Sequence, residues 1–166
     1  MTGTLIAAPD DLTGKKAKDF TLPVVGEDRE ITLSGYKNKK IVIVHFWKSR
    51  WRECVAALPQ LAEIQSKYKD KPVQLLSINA INREGKVAAD KEHFKINYPV
   101  LLGRGTKVIL DYNLVSLPKI MIIDHKGTIA FSASNASKSK MIDVVDTLLN
   151  EFSGEKESTK TKSADN

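Results

Sequence analysis

Between Lys40 and Phe46 the chain reads Lys-Ile-Val-Ile-Val-His-Phe, a run of β-branched residues with no polar alternation. That is the pattern of a strand covered on both faces. The period then changes. Cys54, Ala57, Leu58, Leu61, Ile64 and Tyr68 recur at steps of three and four, which predicts a helix over Trp51–Lys69. Pro59 lies inside it and should bend it. Val73–Asn79 returns to strand pattern, and Glu84–Ile96 is a weaker helix with Val87 and Phe94 turned inward. Thr106–Tyr112 predicts a short helix. Lys119–Asp124 and Thr128–Ser132 flank His125-Lys126-Gly127, which predicts a hairpin. Met141, Val144, Val145, Leu148, Leu149 and Phe152 form one stripe of a last helix, with Ser137 as its N-cap. Near the start, Asp19–Leu22 and Ile31–Ser34 flank the polar turn Gly26-Glu27-Asp28 and read as a short hairpin or two edge pieces.

The order of elements constrains the architecture. Strand, helix, strand is a βαβ unit and demands parallel pairing. The later hairpin is antiparallel and covered by a helix. An α/β domain follows, with a mixed central sheet, helices on both faces and an N-terminal strand extension. Ser153–Asn166 is almost wholly polar and reads as a disordered tail, because it has little surface to bury against chain entropy. Residues 1–14 read as a flexible segment, leaving 15–152 as the folded domain. Met1–Asp10 has neither a basic n-region nor an apolar h-region, so it is not a secretion signal.

Composition narrows the functions. No apolar run approaches the roughly 18 residues of a membrane span. No glycine-rich phosphate loop or RNA-binding signature is present, and nucleic acid is not an expected partner. The net charge of +6 fits either acidic partners or a solvated lysine-rich surface. Only one cysteine is present, Cys54, which excludes an intramolecular disulfide and a cysteine-rich metal site. His45 has no second ligand at metal spacing and reads as structural, while His93 and His125 read as helix-surface and turn residues. No metal or cofactor is expected.

The segment Phe46-Trp47-Lys48-Ser49-Arg50-Trp51-Arg52-Glu53-Cys54 and on to Pro59 and Leu61 resembles the active-site segment of the TlpA/ResA-like thioredoxins, F-W-A-S-W-C-P-P-C-R-x-E-x-P-x-L. Phe46, Trp47, Ser49, Cys54, Pro59 and Leu61 match in register. Lys18-Asp19-Phe20-Thr21-Leu22 is similar to the family's P-D-F-x-L. Ser116-Leu117-Pro118 through Asp124 and Gly127 is similar to V-P-x-x-F-L-I-D-x-x-G. The resemblance covers nearly all of the folded part and implies a thioredoxin fold, a cis peptide before Pro118 and a groove there for extended polypeptide. It also implies a periplasmic or other extracytoplasmic location if a leader has been removed, and a cytoplasmic one otherwise.

The departures carry as much information. The family's nucleophilic cysteine position holds Trp51; Cys54 keeps the buried, resolving position. Arg52 and Glu53 replace the intervening prolines. Asn82 stands where ResA-like members place a carboxylate, with Glu84 two residues on. A dithiol–disulfide cycle within this chain is excluded by atom count. The comparable peroxiredoxin motif, P-x-x-x-T-x-x-C, has Trp47 and Trp51 in place of its proline and threonine.

Cys54 is therefore either a monothiol nucleophile, favoured by Lys48, Arg50, Arg52 and the helix start, or a small core filler. Trp51 is either an exposed anchor between two arginines or a plug over Cys54, with a cation–π stack from Arg50 or Arg52 conceivable. Two functions remain. One is a non-catalytic protein- or peptide-binding module using Trp47, Trp51, Arg50, Arg52, Leu117 and Pro118. The other is a monothiol redox enzyme using Cys54 for mixed-disulfide exchange or peroxide reduction.

Overall fold

The computed structural model describes residues 10–164, with side chains placed to residue 158. The expectation for the first nine residues lies outside this range. Five strands form the central sheet: β3 (Ile41–Trp47), β4 (Val73–Asn79), β5 (Val100–Leu102), β6 (Lys119–Ile123) and β7 (Ile129–Ala133), in the order β5-β4-β3-β6-β7. β3 runs parallel to β4, and β4 to β5. The β3–β6 and β6–β7 pairs are antiparallel. All seven residues of β3 are buried, as its unbroken apolar run requires of a strand covered on both faces.

One face packs under α1 (Arg52–Lys67), α2 (Glu84–His93) and α4 (Lys138–Ala164). Ile41, Ile43 and Trp47 of β3 join Cys54, Leu58, Leu61, Val87, Met141 and Val145 there. The other face places Val42, Val44 and Phe46 against Phe20, Leu22 and Ile31 of the hairpin β1 (Thr21–Pro23)–β2 (Glu30–Thr32), and against Val108 and Tyr112 at α3 (Val108–Asp111). Just past β1, the Val25 N–H donates to the Val100 carbonyl at 2.8 Å, so the hairpin's continuation covers the free edge of β5.

Three expectations change. β5 was not foreseen, because three residues after a proline carry no usable periodicity. Residues 10–14, expected to be flexible, are tied to the sheet: the buried Lys119 ammonium bonds the Asp10 carbonyl, and the Gly14 N–H donates to the Ile129 carbonyl at 2.8 Å. The stretch from Ser153, read as disordered, is helical to Ala164. Extending an existing helix adds one bond per residue fixed and needs no new nucleus. Contacts at its root support the extension. The His125 ring stacks on Phe152 with centroids 4.3 Å apart, and Glu155 reaches His125 Nε2 at 2.9 Å and Lys126 Nζ at 2.5 Å. His125 is thus a buried contact rather than a simple turn residue. Ser137 caps α4 as expected, accepting from the Lys140 N–H at 3.2 Å.

His45 sits at the centre of β3, fully buried, its ring parallel to that of Trp47 at 6.4 Å and its Nδ1 3.5 Å from Ser77 Oγ. Burial lowers its pKa to about 3. An unfolded histidine titrates near 6.5, so below that pH the unfolded chain binds a proton that the folded one refuses. The stability this neutral histidine permits is complete above pH 6.5 and declines as the pH falls toward about 3.

Two predictions follow from these contacts. The stability difference between the wild-type chain and His45→Leu should shift against the wild type on acidification from pH 6.5 to 4, by up to about 1.4 kcal/mol per pH unit; denaturant titrations at each pH measure it, and a pH-independent difference would contradict it. Gly154→Ala places a Cβ in open space within an exposed helix and should add about 0.5–1 kcal/mol in the same assay. A disordered tail would give no gain.

Candidate functional site

The loop Lys48–Trp51 leaves the C-terminal end of β3 and turns into α1. Its turn needs a left-handed residue, and Arg50 supplies it at φ 61°, an uncommon conformation for a side chain with a Cβ. Trp51 is the N-cap residue in extended conformation, and Cys54 falls in the first helical turn. The Trp51 side chain accepts no capping hydrogen bond from the first-turn N–H groups.

A polar clasp fixes this loop against the one after β4. Asn79 is fully buried at the end of β4; its Oδ1 accepts from the Asn82 N–H at 2.8 Å and the Ile81 N–H at 3.2 Å, and its Nδ2 lies 3.5 Å from Ser49 Oγ. Asn82 Oδ1 in turn accepts from the Ser49 N–H at 2.8 Å, and the Ala80 N–H donates to the Trp47 carbonyl at 2.9 Å. Asn82 is thus a neutral amide acting as a tie between loops. Glu84 is exposed in the first turn of α2, in the position where a carboxylate favours the helix dipole. The Asn79–Ser49–Asn82 clasp was missed in the sequence. The only available signal was the polar Asn-Ala-Ile-Asn ending an otherwise apolar strand.

Cys54 is completely buried. Burial pushes its thiol pKa up, while a main-chain hydrogen bond and the charge of Lys48 pull the other way, and Glu53 raises it further. The environment is that of a core residue in contact with the Trp47–Leu58–Leu61 cluster. Since a thiol held neutral in the folded state ionises more readily when unfolded, it withdraws stability as pH rises past the ordinary thiol range.

Trp51 is 45% exposed and carries the Lys48 ammonium over its ring, 3.8 Å from the centroid. Its cation partner is thus Lys48, and neither Arg50 nor Arg52 takes that place. Arg50 and Arg52 are exposed beside it. The Leu117–Pro118 peptide is cis. Of the six residues expected to form a binding surface, Trp47 and Pro118 are buried and Leu117 is partly so. Trp47 belongs to the core, because it faces α1 from the centre of the sheet, and it cannot touch a partner. What remains accessible is Trp51, Arg50, Arg52 and part of Leu117. To these the structure adds Ile81, 48% exposed on the clasped loop, and Val115, 71% exposed just before Leu117. Ser116 and Leu117 precede β6 and pair with no strand among the described residues. Among the described residues no group of three or more metal-ligating side chains occurs, and no helix is long and apolar enough to cross a membrane.

Comparison with known proteins places this geometry. The AhpC/TSA family model matches residues 13–132. The chain is 30% identical over 116 residues to a thiol-disulfide oxidoreductase ResA of Bacillus cereus, covering 70% of this chain and 66% of that protein. It is thus similar to somewhat under two thirds of that relative's length. A thioredoxin-like protein YneN of Bacillus subtilis is 29% identical over 119 residues, covering 70% of this chain and 68% of that one. Among solved structures, the thioredoxin domain of a thiol-disulfide oxidoreductase from Bacteroides vulgatus superposes with a TM-score of 0.74 at 22% identity, over 82% of this chain and 97% of that one. The pneumococcal exposed lipoprotein thioredoxin from Streptococcus pneumoniae does so with 0.68 at 26%, over 78% and 99%. The architecture is the thioredoxin fold, built around a single cysteine.

The native protein should react with an aromatic disulfide reagent at least a hundredfold more slowly than the same protein in denaturant. Rapid native labelling of Cys54 would contradict the burial described.

Proposed function

This chain belongs to the AhpC/TSA family, in its TlpA/ResA-like group, and on that premise we propose that it is a non-catalytic thioredoxin-fold module holding an extended polypeptide with acidic side chains. The observation that carries the reading is Trp51. A half-exposed indole with a lysine over its ring stands at the helix start, where the family's attacking thiolate belongs. Aromatic rings flanked by arginines anchor interfaces because they bring large apolar area together with planar, charged donors.

The surroundings support the same use. Lys48, Arg50 and Arg52 follow one another around Trp51 and favour a negatively charged occupant. Exposed Ile81 and Val115 offer further apolar contact. The unpaired main chain of Ser116 and Leu117 offers a short template for an extended segment, the geometry of strand addition. The lost functional groups point away from chemistry. No second thiol exists, Cys54 is buried with its thiol kept neutral, and the nearby polar residue is an amide tied to Ser49. The burial of Cys54 weighs equally against a monothiol cycle, which needs thiolate and access.

Trp51 is the exposed tryptophan and Trp47 the buried one, so binding can be followed by intrinsic fluorescence. An extended acidic peptide should perturb the emission saturably, and a basic peptide of equal length should not. Trp51→Ala and the double variant Arg50→Glu/Arg52→Glu should each weaken binding at least tenfold without loss of fold. Insulin reduction with dithiothreitol should stay at background. Undiminished binding by Trp51→Ala, or turnover in the insulin assay, would contradict the proposal.

A further inference from the structure

A cleft of about 420 Å³ opens at the opposite end of the sheet from Trp51 and Cys54. It is lined by Lys40 and Val42 at the start of β3 and by Ile123 and Asp124 at the end of β6. Trp51 follows the other end of β3, a strand about 20 Å long. The volume lies in the range of small-molecule sites. Its apolar lining comes from Ala17, Leu33, Tyr36, Val42 and Ile123.

Lys16, Lys37, Lys40 and Lys126 also line the cleft. Among the described residues, only Lys126 of these is in an ion pair, with Glu155. Lys16 Nζ donates to neutral oxygens, Thr128 Oγ1 at 2.9 Å and the Lys126 carbonyl at 3.5 Å. Lys40 Nζ donates to the Gln74 amide at 3.3 Å and lies 5.9 Å from the centre of the Tyr36 ring. Lys37 enters no ion pair among the described residues. The two carboxylates present are engaged by main chain. Asp19 Oδ1 accepts from the Phe20 and Ser34 N–H groups at 3.0 and 2.9 Å, and Asp124 Oδ1 from those of Lys126 and Thr128 at 2.9 and 2.8 Å. Three of the lining lysines, Lys16, Lys37 and Lys40, thus have no carboxylate partner among the described residues, beside an apolar floor.

We propose that this cleft is a binding site for a small amphiphilic carboxylate, a medium-chain acyl or aryl acid, whose apolar body lies against the partly exposed Ala17 and Tyr36, over the buried Leu33, Val42 and Ile123, and whose anion is held by Lys16, Lys37 and Lys40. The apolar floor gains from covering carbon, and the lysines gain the anion that their neutral partners do not supply. A simple inorganic anion uses only the second term, and a neutral alcohol only the first. The site is independent of the polypeptide-binding reading and stands or falls separately from it.

The test is a titration of the isotope-labelled full chain, followed by amide NMR, with octanoate, octanol and octylammonium. Octanoate should shift the amides of Leu33–Lys37, Lys40, Val42 and Asp124–Gly127 saturably, and at least tenfold more tightly than either control. Lys37→Glu/Lys40→Glu should weaken it at least tenfold. Ala17→Trp, at a partly exposed position, should fill the cleft and abolish the shifts while the spectrum stays that of the folded chain. Absence of saturable shifts at millimolar octanoate, equal binding of octanol, shifts confined to Trp51 and Leu117, or unaltered binding by both variants would overturn the proposal.

Discussion

The complete burial of β3 is the constraint from which the rest follows. A strand with seven apolar or neutral side chains and no exposed position must be covered above and below. Its parallel partner β4 requires a crossover, and α1 supplies it over one face, with the hairpin and α3 closing the other. Since β3 and β4 run in the same direction, their C-terminal ends lie together, and the loops leaving them meet. That is where the Asn79–Ser49–Asn82 clasp forms and where α1 begins. Sheet topology thus sets where α1 starts, with Trp51 at its exposed N-cap and Cys54 buried in its first turn.

The same topology separates two surfaces of different character. At the C-terminal ends of β3 and β4 stand an indole under a lysine, two flanking arginines and an amide that ties two loops together. At the other end, Lys16, Lys37 and Lys40, which have no carboxylate partner among the described residues, line a cleft with an apolar floor. Both ends are basic, in keeping with the net charge of +6, but they differ in shape. The first presents exposed apolar side chains, for which a polypeptide is proposed, and the second is a recess, for which a small carboxylate is proposed. A thiol-exchange protein needs the first surface to be reactive. This one has kept the scaffold of that surface while burying its remaining sulfur in the core.

Elements with strong local signals were legible in the sequence: the β-branched run of β3, the three- and four-residue steps of α1, the β6–β7 hairpin around Gly127 and the capped stripe of α4. β5 was not, because Val100–Leu102 is a strand only by virtue of β4 beside it. The extension of α4 was misread because polarity measures what a segment can bury, whereas this segment continues a helix already formed and leans on His125 and Lys126 through Glu155. At the site, the identity of the missing nucleophile could be read from register alone. The burial of Trp47 and Pro118, the lysine over Trp51 and the clasp through Asn79 could not, since each depends on residues brought together across strands or on the direction in which a side chain leaves the sheet.

The account rests on Trp51 occupying the attacking position at a thioredoxin-type helix start, one turn before the buried sulfur. Installing a thiol there tests this most directly: Trp51→Cys is oxidised, and the mass and reducibility of the product are measured. The account predicts loss of two hydrogens from a monomeric, folded chain and their return on reduction, the signature of an intramolecular disulfide with Cys54. A folded variant that keeps both thiols free under oxidation, or that forms only intermolecular disulfides, would contradict it.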